Sequence, residues 1–127
     1  MKEVIKTDKA PTAIGPYSQG WRAGDFIFVA GQGPLDPQTG EIKGNTIEEQ
    51  TKQTLENIKA ILQASGADMR DVVKVTVILT NPSSFKPMNE VYKTFFPEPF
   101  PARTTYCAEL VLPNMLVEIE AIAYVGK

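Results

Sequence analysis

Five features of this chain have the residue type and setting to do chemistry. Arg103 follows Pro101-Ala102 and begins an apolar segment. A guanidinium at the start of a strand can hold a planar carboxylate through two parallel hydrogen bonds. The competing reading is a surface arginine paired with a nearby acid. Glu118 and Glu120 sit in the apolar run LVEIEAIA. Their i, i+2 spacing puts both carboxylates on one strand face, where burial or mutual repulsion would raise one pKa and make a base. The plainer alternative is a solvated sheet face. Tyr17, in the proline- and glycine-bracketed Gly15-Pro16-Tyr17-Ser18-Gln19-Gly20, offers a phenol as donor or as an aromatic lid. Gly31-Gln32-Gly33 brings backbone N–H groups close to any ligand, because glycine leaves room for approach. Asn89 faces either solvent or a site.

Composition removes other chemistries. The chain has no histidine and one cysteine, Cys107. Ser-His-Asp and Cys-His catalysis, His-ligated metals and a histidine base are excluded, as is an internal disulfide. Without a histidine to activate it, Cys107 reads as a small packing residue. No GxxxxGK[ST] or GxGxxG signature follows a strand. Thirteen Lys and Arg against fifteen Asp and Glu give a net charge of −2. That is a poor field for a polyanion, so nucleic acid is not the expected partner. MKEVIKTDKA holds no apolar leader core, and no apolar run reaches 18 residues. The expectation is a soluble, cytoplasmic protein with no membrane partner.

A chain of 127 residues predicts one domain over 1–127, which buries about two-thirds of its unfolded surface. Residues 3–6 form a short first strand. A hairpin about Ala23-Gly24-Asp25 joins Trp21-Arg22 to Asp25–Ala30. Thr46–Ser65 is the clearest helix: Thr46 and Glu49 fit a capping box, and Gly66 suits a left-handed C-cap. Ile47, Leu55, Ile58, Ile61 and Leu62 share one stripe of it. Val72–Leu79 is a strand, with Val73, Val75, Val77 and Leu79 on one face. Ser84–Phe96 is a second helix with Phe85, Met88, Tyr92, Phe95 and Phe96 on its apolar side. Arg103–Leu110 and Leu116–Tyr124 close the chain as two strands.

The order β-β-β-α-β-α-β-β predicts an α+β layer, one six-stranded sheet with two helices on one face. The other face would carry Ile27, Val29, Ile78, Ile122 and Tyr124, too apolar for water. Burial of about 1,000 Å² or more between copies is the remedy, so a homo-oligomer is expected. If the last two strands form a hairpin, Arg103 lies opposite Tyr124 and about 20 Å from Glu118. A site using both residues would then lie between subunits.

The ordered set AIGPYSQG, VAGQGPLDPQTGEI, QTKQTLENIKAIL, DVVKVTV, MNEVYKTFF, PAR and VEIEAIA resembles the RidA (YjgF/YER057c/UK114) family over essentially the whole chain. The resemblance implies a chorismate-mutase-like fold with a mixed sheet, and a homotrimer with a central barrel and clefts between subunits. It implies hydrolysis of 2-imino acids or their enamine tautomers, such as 2-iminobutanoate and 2-iminopropanoate, to 2-keto acids and ammonia, with no cofactor. By position, Arg103 matches the arginine that grips the substrate carboxylate and Glu118 the glutamate of the attacking water. Tyr17 would assist as a third catalytic group. Gly31 and Asn89 match cleft positions. Ala30 and Thr105 complete the substrate-binding set, where many members carry serine and cysteine. Gly33 replaces a commoner apolar residue, and Glu109 a small or basic one. A non-catalytic carboxylate-binding or chaperone-like trimer, and a translation-inhibiting ribonuclease, are the alternatives.

Overall fold

A computed structural model describes residues 1–126; Lys127, the last residue of the expected domain, lies outside them. The elements are β1 (Lys2–Ile5), β2 (Gly20–Ala23), β3 (Phe26–Gln32), α1 (Ile47–Ala64), β4 (Val72–Leu79), α2 (Phe85–Tyr92), β5 (Ala102–Cys107) and β6 (Val117–Tyr124). The strands form one sheet in the order β1-β2-β3-β6-β4-β5. β4 and β5 run parallel; the other neighbours are antiparallel. The sheet is therefore mixed, as expected.

The expected hairpin between the last two strands does not exist. β4 lies between β5 and β6. The physical reason is α2, which separates β4 from β5 in sequence: a helical crossover joins parallel neighbours, whereas a tight hairpin joins antiparallel ones. β5 consequently occupies the sheet edge and ends at Cys107 rather than Leu110.

The capping box closes as expected. Thr46 Oγ1 accepts from Glu49 N–H at 3.1 Å, and Glu49 Oε1 accepts from Thr46 N–H at 3.3 Å and Asn45 N–H at 2.9 Å. These donors hold the Glu49 carboxyl below its ordinary range. Gly66 takes φ +85°, the left-handed turn that ends α1. The stripe of α1 buries Leu55, Ile58, Ile61 and Leu62 against Ile27, Val75, Val77, Ile119 and Ala121.

Three side-chain assignments change. Ile27 and Val29 are buried on the helix side, so Phe26 and Phe28 take the open face instead. A bulge between Val72 and Lys74 turns Val73 out to solvent and Val72 in. Phe85 opens α2 at its exposed end, and Met88, Tyr92 and Phe96 supply the core contacts. The open face still carries large apolar groups: Trp21, Phe26, Phe28 and Tyr124 are exposed there. Cys107 is exposed rather than packed, because it ends the strand at the sheet edge. Among the described residues no helix is long and apolar enough to cross a membrane.

Candidate functional site

The expected site residues fall into two clefts. The first, of about 510 Å³, brings together Tyr17, Ala30, Gly31 and Glu118. A β-bulge builds it. Val29 faces Ala121 and Gln32 faces Ile119, so Ala30 and Gly31 together oppose Glu120. Bulges redirect a strand locally. Here the bulge lays the Gly31 backbone over Glu118, and a Cβ at Gly31 would collide with the Glu118 carboxylate. Glycine leaves the carboxylate in this place, where a Cβ would displace it. Glu118 is half-buried, and burial first and the neighbouring Glu120 second raise its carboxyl above the ordinary range. A raised carboxyl among apolar neighbours is the setting of a general base.

Buried amides hold the walls of this cleft. Gln19 Nε2 donates to the carbonyls of Thr7, Ala10 and Pro11, its Oε1 accepts from Thr7 N–H, and its backbone carbonyl accepts from Ala30 N–H. That ties the loop bearing Tyr17 to the bulge. Tyr17 itself is exposed, and its hydroxyl accepts from Ile14 N–H at 3.3 Å. Gln50 Nε2 donates to Gly44 O at 3.2 Å and Asn114 O at 2.9 Å, while Gln50 Oε1 accepts from Leu116 N–H at 2.7 Å. Asn57 Nδ2 donates to Gly33 O at 3.1 Å and Leu35 O at 2.9 Å. Sequence reasoning missed these three amides. The signal was there for two of them: Gln50 and Asn57 stand i, i+7 beside the apolar stripe of α1, where solvated polar groups do not belong.

The second cleft, of about 450 Å³, brings together Asn89 and Arg103 with Tyr92, Phe100 and Pro101. The Arg103 guanidinium lies 4.6 Å from the Tyr92 ring centroid and 5.6 Å from that of Phe85. These rings stack on the cation and limit its rotation. No carboxylate of the described residues forms an ion pair with it. Burial pushes the Tyr92 phenol up, against the pull of the Arg103 charge. By hydrogen-bond geometry, neither buried Tyr92 OH nor buried Asn89 Oδ1 has a partner among the described residues, although the Arg103 guanidinium lies close enough to the Tyr92 phenol to act on it. Thr105 shares the Arg103 side of β5, opposite Val77, and does not line the cleft. Sequence reasoning placed Tyr92 in the core alone; its second role shows only once β5 is set beside α2.

The two clefts are on different faces. Arg103 faces Val75, and Val75 faces Ala121, on the side covered by the helices. Glu118 faces Ile78 and lies on the open side with Glu120. Within one chain the two groups do not meet. The expectation of separation holds, but its cause is the intervening strand rather than a hairpin offset.

The sequence profile of the family described as Endoribonuclease L-PSP matches residues 7–125. The chain belongs to that family, the RidA (YjgF) group. A RutC family protein of Pyrococcus horikoshii is 55% identical over 124 residues, covering 98% of each chain. Mouse 2-iminobutanoate/2-iminopropanoate deaminase is 44% identical over 126 residues, covering 99% of this chain and 93% of that one. The crystal structure of Escherichia coli TdcF with bound serine superposes with a TM-score of 0.90 at 42% identity, covering 96% of this chain and 98% of the other. In this RidA-family chain the six-stranded mixed sheet and two helices follow the family fold.

Proposed function

We propose that this RidA-family chain hydrolyses reactive 2-imino acids, 2-iminobutanoate and 2-iminopropanoate among them, to 2-keto acids and ammonia. The observation that carries the reading is a guanidinium with no acid partner among the described residues in one cleft, and a carboxyl of raised pKa in another. The deaminase name of the mouse relative points to the same class.

Arg103 grips the substrate carboxylate through the two parallel donors of its fork. Glu118 accepts a proton as a water oxygen adds to C2; the imine carbon–nitrogen double bond becomes a single bond. Glu118 then returns that proton to nitrogen, giving a carbinolamine; it next takes the hydroxyl proton and passes it to the amino nitrogen as the carbon–oxygen double bond forms, the carbon–nitrogen bond breaks and ammonia leaves. Tyr17 or backbone N–H groups near Gly31 steady the nitrogen, and Asn89 the carboxylate end. Imines already hydrolyse in water, so each further tenfold asks for only about 1.4 kcal/mol. The scheme uses no cofactor.

Arg103 and Glu118 can act on one small substrate only if a second copy supplies one of them. The exposed Trp21, Phe26, Phe28 and Tyr124 give the open face a reason to bind copies of itself. A homotrimer closed about that face, with the clefts between subunits, is the assembly we propose. It would bring Arg103 of one copy to Glu118 of the next.

The test is a coupled assay. Threonine dehydratase generates 2-iminobutanoate in situ, and its loss is followed with wild type and Arg103→Ala. Acceleration by wild type alone supports the reading. Equal rates in buffer, wild type and variant reject it, and retained 2-keto acid binding would then favour a carboxylate-binding module. The family description names an endoribonuclease. A net charge of −2 and the absence of histidine count against RNA cleavage by this chain.

A further inference from the structure

The Glu118 cleft has an apolar end, formed by Leu35, Val111, Leu112 and Met115. Met115 is 7% exposed, and its side chain sits on Gly33. A Cβ built at Gly33 would stand 2.5 Å from Met115 Sδ. Real side chains do not approach so closely, so glycine at 33 and the thioether at 115 are a matched pair. The backbone on both sides of the pair is pinned. Gln50 bonds Asn114 O and Leu116 N–H, flanking Met115, and Asn57 bonds Gly33 O. Both amides are 1% exposed. Asn114 takes φ +68°, a left-handed turn that aims its carbonyl at Gln50. The frame is therefore fixed, whereas the thioether, unbranched and with three rotatable bonds, is the adjustable part.

We infer that Met115, seated on Gly33, sets the length of substrate side chain that the Glu118 cleft accepts. This makes the pair a specificity determinant among unbranched apolar 2-imino acids, and it rests on the deaminase reading. Truncating Met115 removes Cγ, Sδ and Cε and lengthens the cleft. Adding a Cβ at Gly33 pushes the thioether toward the substrate and shortens it. A merely structural role would lower activity on every substrate alike.

The experiment uses imino acids generated in situ by an L-amino acid oxidase from alanine, 2-aminobutyrate, norvaline and norleucine. Wild type, Met115→Ala, Gly33→Ala and the double variant are compared by kcat/KM. Met115→Ala is expected to raise the norleucine-to-alanine ratio about tenfold, the scale of a methylene in an apolar pocket. Gly33→Ala lowers the ratio, and the double variant returns toward wild type. If Met115→Ala does not fold, Met115→Val is measured in its place. Folded, active variants with an unchanged ratio overturn the inference. A wild type inactive on all four imines overturns the deaminase reading instead. Calorimetric binding of the four matching 2-keto acids then decides the inference without turnover: a length preference that shifts in the same directions supports it, and one that does not shift overturns it.

Discussion

Arg103 and Glu118 stand on opposite faces of one sheet, with β4 between their strands. From the Val75 level to the Ile78 level is three positions, about 10 Å along the strand, and two strand spacings add about 10 Å across it. A substrate the size of 2-iminopropanoate or 2-iminobutanoate does not bridge that gap around a sheet. The proposed chemistry of these two residues therefore requires a second copy of the chain to complete the site.

Arg103→Ala is expected to lower kcat/KM for 2-iminobutanoate about a hundredfold or more, since each charged hydrogen bond is worth about 1.5–3 kcal/mol. Arg103→Lys keeps the charge and loses the fork, so its activity falls between the two. Initial rates, with circular dichroism as the folding control, check both. Full activity in a folded Arg103→Ala protein would remove Arg103 from the mechanism.

Glu118 predicts a pH dependence of activity and an opposite one of stability. A base must be ionised, so kcat/KM rises with pH through the raised Glu118 pKa, above the ordinary 4.5. The folded protein holds this proton more tightly than the unfolded chain does. Stability is therefore highest below the ordinary value and falls as pH rises toward the raised one. Glu118→Gln should abolish the rate limb. It should also raise Tm at neutral pH and leave it unchanged in acid. Paired rate profiles and melting curves from pH 4 to about 8 test both signs. A lower Tm at neutral pH in the variant would show that ionised Glu118 is held by interactions outside this account.

Gln50→Leu should destabilise the fold by about 2–4 kcal/mol, because it strands the buried partners Gly44 O, Asn114 O and Leu116 N–H. Hydrogen exchange should quicken at Leu116 before it quickens in β4. Denaturant unfolding that matches wild type would mean that water replaces the amide at no cost.

Local signals in the sequence carried most of the elements. Thr46 and Glu49 marked the start of α1, Gly66 its end, and the alternation in VEIEAIA put Glu118 and Glu120 on one face of β6. Long-range pairing was less legible. The period of two in β4 and β5 says which residues share a face, but not which strand lies beside which. The parallel placement of β5 follows from α2 as a crossover. The bulges at Ala30-Gly31 and Val72–Lys74 were equally hidden, because one extra residue inverts the alternation and leaves composition unchanged. That is why Val73 read as core; the inward turn of Ile27 and Val29 was hidden for another reason, since Phe26-Ile27-Phe28-Val29 is apolar on both faces and alternation does not say which one meets the helices. The residue types of the site were readable; the stacking of Tyr92 on Arg103 and the seat of Met115 on Gly33 depend on side-chain packing across elements distant in sequence.

The proposed imine hydrolysis uses Arg103 of one copy and Glu118 of another. Subunit mixing tests it most directly. Arg103→Ala and Glu118→Gln proteins are prepared separately, then unfolded and refolded together in equal amounts, and 2-iminobutanoate loss is followed. Wild type should accelerate the loss, and each variant alone should match buffer. In a closed ring with random mixing, about a quarter of the clefts regain both groups, so the mixture should recover up to about a quarter of wild-type activity. A mixture as inactive as its parents, with mixed oligomers demonstrated by mass spectrometry, would rule out a cleft shared between copies.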